Sequence, residues 1–291
     1  MVRATVLIMM ALAAVFRLAG FFSEPRLTDA DIHAVSGEPG RTSRSGAART
    51  SLTVVTWNIE RGAQFDRIAE TLRSINADVV LLQEVDRFCR RSGNRDVARE
   101  LAARTAMNWI SAGEFQEVGE ARGPAPAITG QAILSRDPIT DAAVVRFSDQ
   151  TSFRWRFNPF QPRRGGRMAL RARTAGLLVY SVHLESGGDD ELRARQLGDV
   201  LDDESRQEAA ASLIGGDFNN AAAFRSAMFR SLASAGFADA LGSEGPRRTS
   251  IRHRHPIDWV FLKGLAPRNG RVVPVDGASD HYPLIVDVIR R

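Results

Sequence analysis

Apolar and polar positions follow two regimes along this chain. Residues 52–57 and 78–83 are short, almost unbroken apolar runs rich in Val, Leu and Thr. Such runs predict strands covered on both faces. Between them Phe65, Ile68, Ala69, Leu72 and Ile75 recur at helical spacing, and Asn76 marks a stop. The same reading predicts strands at 131–134, 143–147, 168–173, 177–184, 212–216, 257–262 and 282–288. Helices are expected near 96–104, 191–201 and 222–233. No internal repeat is present. Strands outnumber helices, which points to sheets packed face to face with helices outside.

The first 50 residues depart from this pattern. After Met1-Val2-Arg3 the chain is apolar from Ala4 to Phe16, and it continues through Arg17 to Phe22. A basic start before an apolar run resembles a secretory signal, with Ala11-Leu12-Ala13 as a small-residue cleavage site. An uncleaved anchor over 4–22 would span about 28 Å as a helix, roughly one bilayer core. A misassigned start codon is the third reading. Export or membrane attachment is the expectation. Residues 23–50 are rich in Gly, Ser, Arg and Pro and read as a flexible linker. The folded domain is expected over 51–291. The whole chain's 44% hydrophobic content supplies a sizeable core, and a monomer is expected.

Charge adds one feature. Lys263 is the only lysine, so the net charge of +5 rests almost wholly on arginine. Abundant Arg with abundant Ala is what a GC-rich coding sequence would produce, so the high pI by itself is weak evidence of a nucleic-acid partner. Seven arginines and no acid fall between Arg154 and Arg173, and the rest of the chain is slightly acidic. That segment reads either as a phosphate or polyanion grip, with Arg163, Arg164 and Arg167 as its central contacts, or as a solvated loop. Cys89 is the sole cysteine. It cannot form an intramolecular disulfide, and its arginine neighbours would lower its thiol pKa, although a non-catalytic role fits it better.

The candidate chemistry sits where apolar runs stop. Asn58 closes the first strand and Glu84 follows the second. His183 lies in SVHLES, Asp217 and Asn219 in GGDFNN, Asp258 in PIDWVFL, and Asp280-His281 immediately precede the last strand. An acid at a strand end is ordinarily a turn residue or a cap. Six such sites in succession are what a catalytic constellation drawn from several strands requires. Glu84 and Asp280 offer hard oxygen ligands suited to Mg²⁺ or Mn²⁺. Asp217 can orient or deprotonate water, and Asn58 and Asn219 can position carboxylates or phosphate oxygens. Asp258 can fix the tautomer of His281, while His183 can donate to charge developing at phosphorus. His253 and His255 read as an exposed basic turn.

These motifs, with TWNIERG, DVVLLQEVD and GQAILSRDPI, resemble the endonuclease/exonuclease/phosphatase superfamily over residues 51–291. The resemblance implies an α+β fold, a four-layer α/β/β/α sandwich of two mainly antiparallel mixed sheets with outer helices. It carries Glu84 over as metal ligand with Asn58 and Asp280 beside it. Asp217 and Asn219 stand around the attacking water and phosphate, Asp258 pairs with His281, and His183 contacts phosphate. SVHLES departs from the apurinic-endonuclease pattern, and GQAI with GGDFNN departs from the inositol 5-phosphatase pattern. Gln131 stands where an Asn is common. HLES is similar to tyrosyl-DNA phosphodiesterases and to many bacterial members. The expected activity is metal-dependent phosphodiester hydrolysis, on nucleic acid or, alternatively, on a phospholipid or small phosphate ester at a membrane. A non-catalytic binding module is the remaining reading.

Overall fold

The computed structural model describes residues 24–40, 50–151, 162–220, 226–242, 248–253, 255–275 and 277–290. The 1–22 apolar run, Arg154, Arg156 and residues 222–225 of an expected helix lie outside them. Among the described residues, no helix is long and apolar enough to cross a membrane.

Two sheets and three apolar layers define the architecture. The first sheet runs in the order β1 (Ser36–Glu38), β4 (Asn108–Glu117), β5 (Ile128–Ser135), β3 (Val79–Arg87), β2 (Ser51–Asn58), β14 (Leu284–Arg290) and β13 (Leu265–Val272), with β7 (Arg163–Gly165) also paired to β4. The second runs β11 (Ala238–Asp239), β12 (Asp258–Lys263), β10 (Ser212–Asp217), β9 (Leu177–His183), β8 (Met168–Thr174) and β6 (Ile139–Arg146). Successive side chains of a strand point to opposite faces. On β2 and β3, Val54, Val79 and Leu81 therefore enter the layer between the sheets, against Leu170, Val179 and Leu213. Val55, Trp57, Val80 and Leu82 instead meet the first sheet's helices, α2 (Phe65–Ile75) and α3 (Val97–Thr105). Leu178, Tyr180 and Ile214 meet α4 (Asp190–Ser205) and α5 (Ala227–Ser234) on the far side of the second sheet. Burial on both faces is why these strands read as unbroken apolar runs. The four-layer sandwich is thus present.

Strand β4 was not predicted. All ten of its residues are buried, yet they include Asn108, Glu114, Gln116 and Glu117. Buried acids break an apolar pattern, and here cations from elsewhere in the chain pair with them. Arg167 meets Glu114, while Arg91 and Arg163 meet Glu117. Strand β13 was also missed. It is an edge strand carrying Pro267 and Gly270, residues that weaken a strand signal.

The expectation of a flexible linker over 23–50 needs correction for its first half. Thr28 caps a one-turn helix, α1 (Asp29–Ile32), through a capping box with Asp31. His33 Nδ1 lies 2.9 Å from the Gly113 carbonyl, and Ser36–Glu38 extend the first sheet antiparallel to β4. Backbone pairing is indifferent to composition, so a polar segment can add an edge strand. The single apolar anchor is Ile32, fully buried against Gly113 and Gly165. Gly37 admits the close approach, since a Cβ there would fall 2.2 Å from the Trp109 carbonyl oxygen. Truncating a buried isoleucine to alanine typically removes about 2–5 kcal/mol. Ile32→Ala is therefore expected to lower unfolding stability by about that much in urea titration. A free linker would give no change.

Candidate active site

Register places the site's core. Along the second sheet Asp217 on β10 stands opposite His183 on β9 and Asp258 on β12. The three side chains thus emerge side by side where the strands end. The preceding glycine is required by packing, because a Cβ on Gly216 would sit 1.9 Å from the Val182 carbonyl oxygen. Beyond Asp217 the chain turns sharply. Asn219 takes a left-handed conformation and its backbone N–H donates to Asp217 Oδ1 at 2.9 Å. The first sheet contributes Asn58 from the end of β2. Its Nδ2 donates to Asp217 Oδ2 at 3.1 Å and lies 3.4 Å from Glu84 Oε1. This amide joins the two sheets at the site.

His281 arrives from the loop before β14. Its backbone carbonyl accepts from Trp57 Nε1 at 2.9 Å. Its Nδ1 lies 2.9 Å from Asp258 Oδ2, and its Nε2 lies 3.8 Å from Asp217 Oδ2. His183 Nε2 approaches the same Asp217 oxygen at 3.5 Å. Burial works against a charged His281, but Asp258 and then Asp217 outweigh it and raise its pKa to about 10. Burial, followed by Arg167 and His281, holds His183 well below the usual histidine range. One imidazole is therefore charged and the other neutral. Burial and the neighbouring Asp258 raise Asp217 to about 7, a value suited to accepting a proton near neutrality.

Glu84 sits on a different footing. It occupies a bulge in β3 between Gln83 and Val85, in a left-handed conformation, and its side chain is 30% exposed. The bulge turns the carboxylate out of the strand's alternation and toward the cleft. Arg61 lies 3.7 Å from it, and Arg252 lies 3.3 Å from the half-open Asp280. Nearby Glu60 has a raised pKa, first from burial and then from Asp280, with Glu84 adding to it. Glu60 is thus acted on by both Asp280 and Glu84 in a partly open cleft, a hard-oxygen set that would suit a divalent cation. Mg²⁺ commonly takes one or two carboxylates and completes its shell with water and phosphate oxygens, so Glu84 and Asp280 fit it. Asn58, expected as a third ligand, has Oδ1 already accepting the Glu60 N–H at 3.1 Å. Its observed work is to hold Glu84 and Asp217.

Among the described residues, Asp217, Asp258 and His281 form a tighter group, with ligand atoms all within 4.8 Å. This buried Asp/Asp/His group suits a cation less well. His281 Nδ1 is bonded to Asp258, and an imidazolium offers no lone pair.

The structure gathers Asn58, Glu84, His183, Asp217, Asn219, Asp258, Asp280 and His281 at one end of the sandwich. It does not make an open track of the arginines. Arg163 pairs with Glu117 at 3.1 Å and covers the Phe115 ring, Arg164 lies 3.4 Å from Gln116 Oε1, and Arg171 and Arg173 meet Asp141. Arg167 is buried beside His183. Arg163 and Arg167 are committed to the buried acids Glu117 and Glu114, which corrects the expectation of a polyanion grip at those two positions. Cys89 is buried, and burial followed by Asp86 raises its thiol pKa, opposite to the effect expected from its arginine neighbours. His253 and His255 are exposed, as expected. Sequence reasoning missed Glu114 and Glu60. A lone acid inside an apolar stretch was the available signal for Glu114.

A four-layer sandwich with carboxylates, amides and imidazoles pooled at its strand ends is the architecture of the endonuclease/exonuclease/phosphatase class. The chain belongs to the Endonuclease/Exonuclease/phosphatase family, whose profile matches residues 55–281. Members typically act on phosphoester bonds and generally use a divalent metal. A UPF0294 protein of Vibrio cholerae is 36% identical over 88 residues, 30% of this chain and 31% of that protein, so the match spans about a third of the relative's length. An endonuclease/exonuclease/phosphatase from Beutenbergia cavernae superposes with a TM-score of 0.65 at 24% identity, covering 83% of this chain and 72% of that one. The human Nocturnin catalytic domain, solved with bound sulfate, gives 0.61 at 18% identity over 84% of this chain and 96% of that one. Both structures share the fold.

If Glu84 holds the cation, exchanging it should weaken cation binding without disturbing the core. Glu84→Gln is expected to reduce Mn²⁺ affinity by at least about 10–100-fold, read by isothermal titration, with the thermal midpoint nearly unchanged. Equal affinity in the variant would remove Glu84 from the cation site.

Proposed function

We propose that this protein is a divalent-metal-dependent phosphodiesterase that directs water at phosphorus. The observation carrying this reading is the position of Asp217. Its Oδ2 lies 3.5 Å from one imidazole, 3.8 Å from a second, and 3.1 Å from the amide that also reaches Glu84. A proton acceptor, a fixed positive charge and an open carboxylate pair thus share one cleft.

Each side chain takes a part that its surroundings favour. Asp217 accepts the proton of the attacking water, held in orientation by Asn58 and by the Asn219 backbone. His281, kept charged by Asp258, faces the negative charge that builds up in the transition state and can protonate the leaving oxygen. His183 contacts a phosphate oxygen from the other side. Asn219 Nδ2 donates to the Leu184 carbonyl at 3.0 Å, leaving its second amide hydrogen for phosphate. When bound at Glu84 and Asp280, Mg²⁺ or Mn²⁺ would neutralise phosphate charge and lower the pKa of water.

The inward commitment of Arg163 and Arg167 favours a compact diester over a long polyanion. A phospholipid head group is a second reading, supported by the apolar run at residues 4–22, which would bring the domain to a membrane as an exported or anchored protein. The full chain should hydrolyse a generic phosphodiester with Mg²⁺ or Mn²⁺, lose that activity in EDTA, and regain it on adding metal. His281→Ala is expected to lower kcat by about 10²–10⁴-fold. Activity indifferent to EDTA would overturn the proposal. Parallel assays on single- and double-stranded DNA, RNA, sphingomyelin and phosphatidylinositol phosphate vesicles separate a nuclease from a lipid enzyme.

A further inference from the structure

Behind His183 lies a buried chain of polar groups that reaches from one sheet to the other. Arg167 Nη1 is 2.7 Å from Glu114 Oε2 and 2.7 Å from His183 Nδ1. Glu114 is held in turn by Gln131, whose Nε2 donates to Glu114 Oε1 at 3.0 Å and to the Met168 carbonyl at 2.7 Å. The backbone of Arg167 is clamped by Gln150, whose Oε1 accepts its N–H at 2.7 Å and whose Nε2 donates to its carbonyl at 3.1 Å. Phe115 lies under the guanidinium, which is only 7% exposed. Arg167 therefore has little freedom to turn outward.

A guanidinium has donors and no acceptor, and it does not give up its proton in a protein. The two hydrogens of Nη1 match its two close partners, one each. At 2.7 Å an N–H on His183 Nδ1 would point at another N–H, so Nδ1 must present its lone pair. The ring hydrogen is then on Nε2, the nitrogen that faces Asp217 and the cleft. We propose that Arg167, backed by Glu114 and Gln131, is a positioning residue that locks His183 in the Nε2–H tautomer. His183 then works as a fixed neutral donor to a phosphate oxygen and takes no part in proton transfer. That consequence rests on the phosphodiesterase reading, whereas the tautomer itself does not.

Long-range proton–nitrogen NMR spectra of the full chain, labelled at histidine nitrogens and free of metal, read the tautomer directly. His183→Gln identifies the signal. The wild-type protein is expected to show a bare Nδ1 and a protonated Nε2. In Arg167→Met the signal should move to the Nδ1–H form or to a mixture, and Arg167→Gln, too short to reach Nδ1, should do the same if the methionine variant does not fold. Arg167→Lys keeps a donor and should keep the tautomer. Turnover should follow, with kcat down about 10²–10³-fold in the methionine or glutamine variant, the usual loss on removing one well-placed donor, KM little changed, and partial recovery in the lysine variant. A wild-type Nδ1–H signal would overturn the proposal, as would an unchanged tautomer in a folded methionine or glutamine variant. Because the spectra need no substrate, failure to find a phosphodiesterase substrate would count against the functional reading and leave the tautomer result standing.

Discussion

Asp217 is buried between two sheets, where an ionised carboxylate without partners would be destabilised by several kcal/mol. What makes the position tenable is the ring of groups around it. Asn58 donates from the first sheet, Asn219 donates from the following turn, and the charged His281 stands beside it. Because Asn58 also reaches Glu84, the Glu84 side of the cleft and the Asp217 side are held in register by one amide. The rest of the end of the sandwich is arranged to keep that amide in place. Ser279 donates to the Asn58 carbonyl at 2.7 Å, and Trp57, packed against the helices, ties the His281 backbone to β2.

The two imidazoles show how burial and neighbours divide labour between identical side chains. His281 has two carboxylates beside it and carries a charge; His183 faces Asp217 but has a guanidinium at its back and stays neutral. The difference is set by Asp258 on one side and Arg167 on the other. Arg167 also bears on stability, because removing one partner of a buried ion pair commonly costs about 3–5 kcal/mol through the charge left behind. The setting of His183 and folding thus lean on the same pair, Arg167 and Glu114.

Much of the fold could be read from the chain. Both-face burial gave β2, β3, β9 and β10 their unbroken apolar runs, and the polar residue ending each run marked the cleft. Less legible were elements whose polar residues find partners far away in sequence. Strand β4 hides behind Glu114 and Glu117, whose cations come mostly from beyond residue 160. The Asp29–Glu38 strap attaches through backbone pairing and one isoleucine, features that composition does not register. Arginine clustering between 154 and 173 suggested an outward-facing grip, but a charge count carries no information on which way a side chain turns.

The sequence by itself determined which residues end the strands, and with them the inventory of carboxylates, amides and imidazoles, because strand periodicity and local turn chemistry act over a few residues. Only the tertiary structure decided what those groups do to one another. It alone showed that Asn58 spans the sheets, that the bulge at Glu84 turns an acid outward, and that Arg167 points inward to His183. Those outcomes depend on distances between residues tens to more than a hundred positions apart and on the loss of water around them, and neither quantity is written in local pattern.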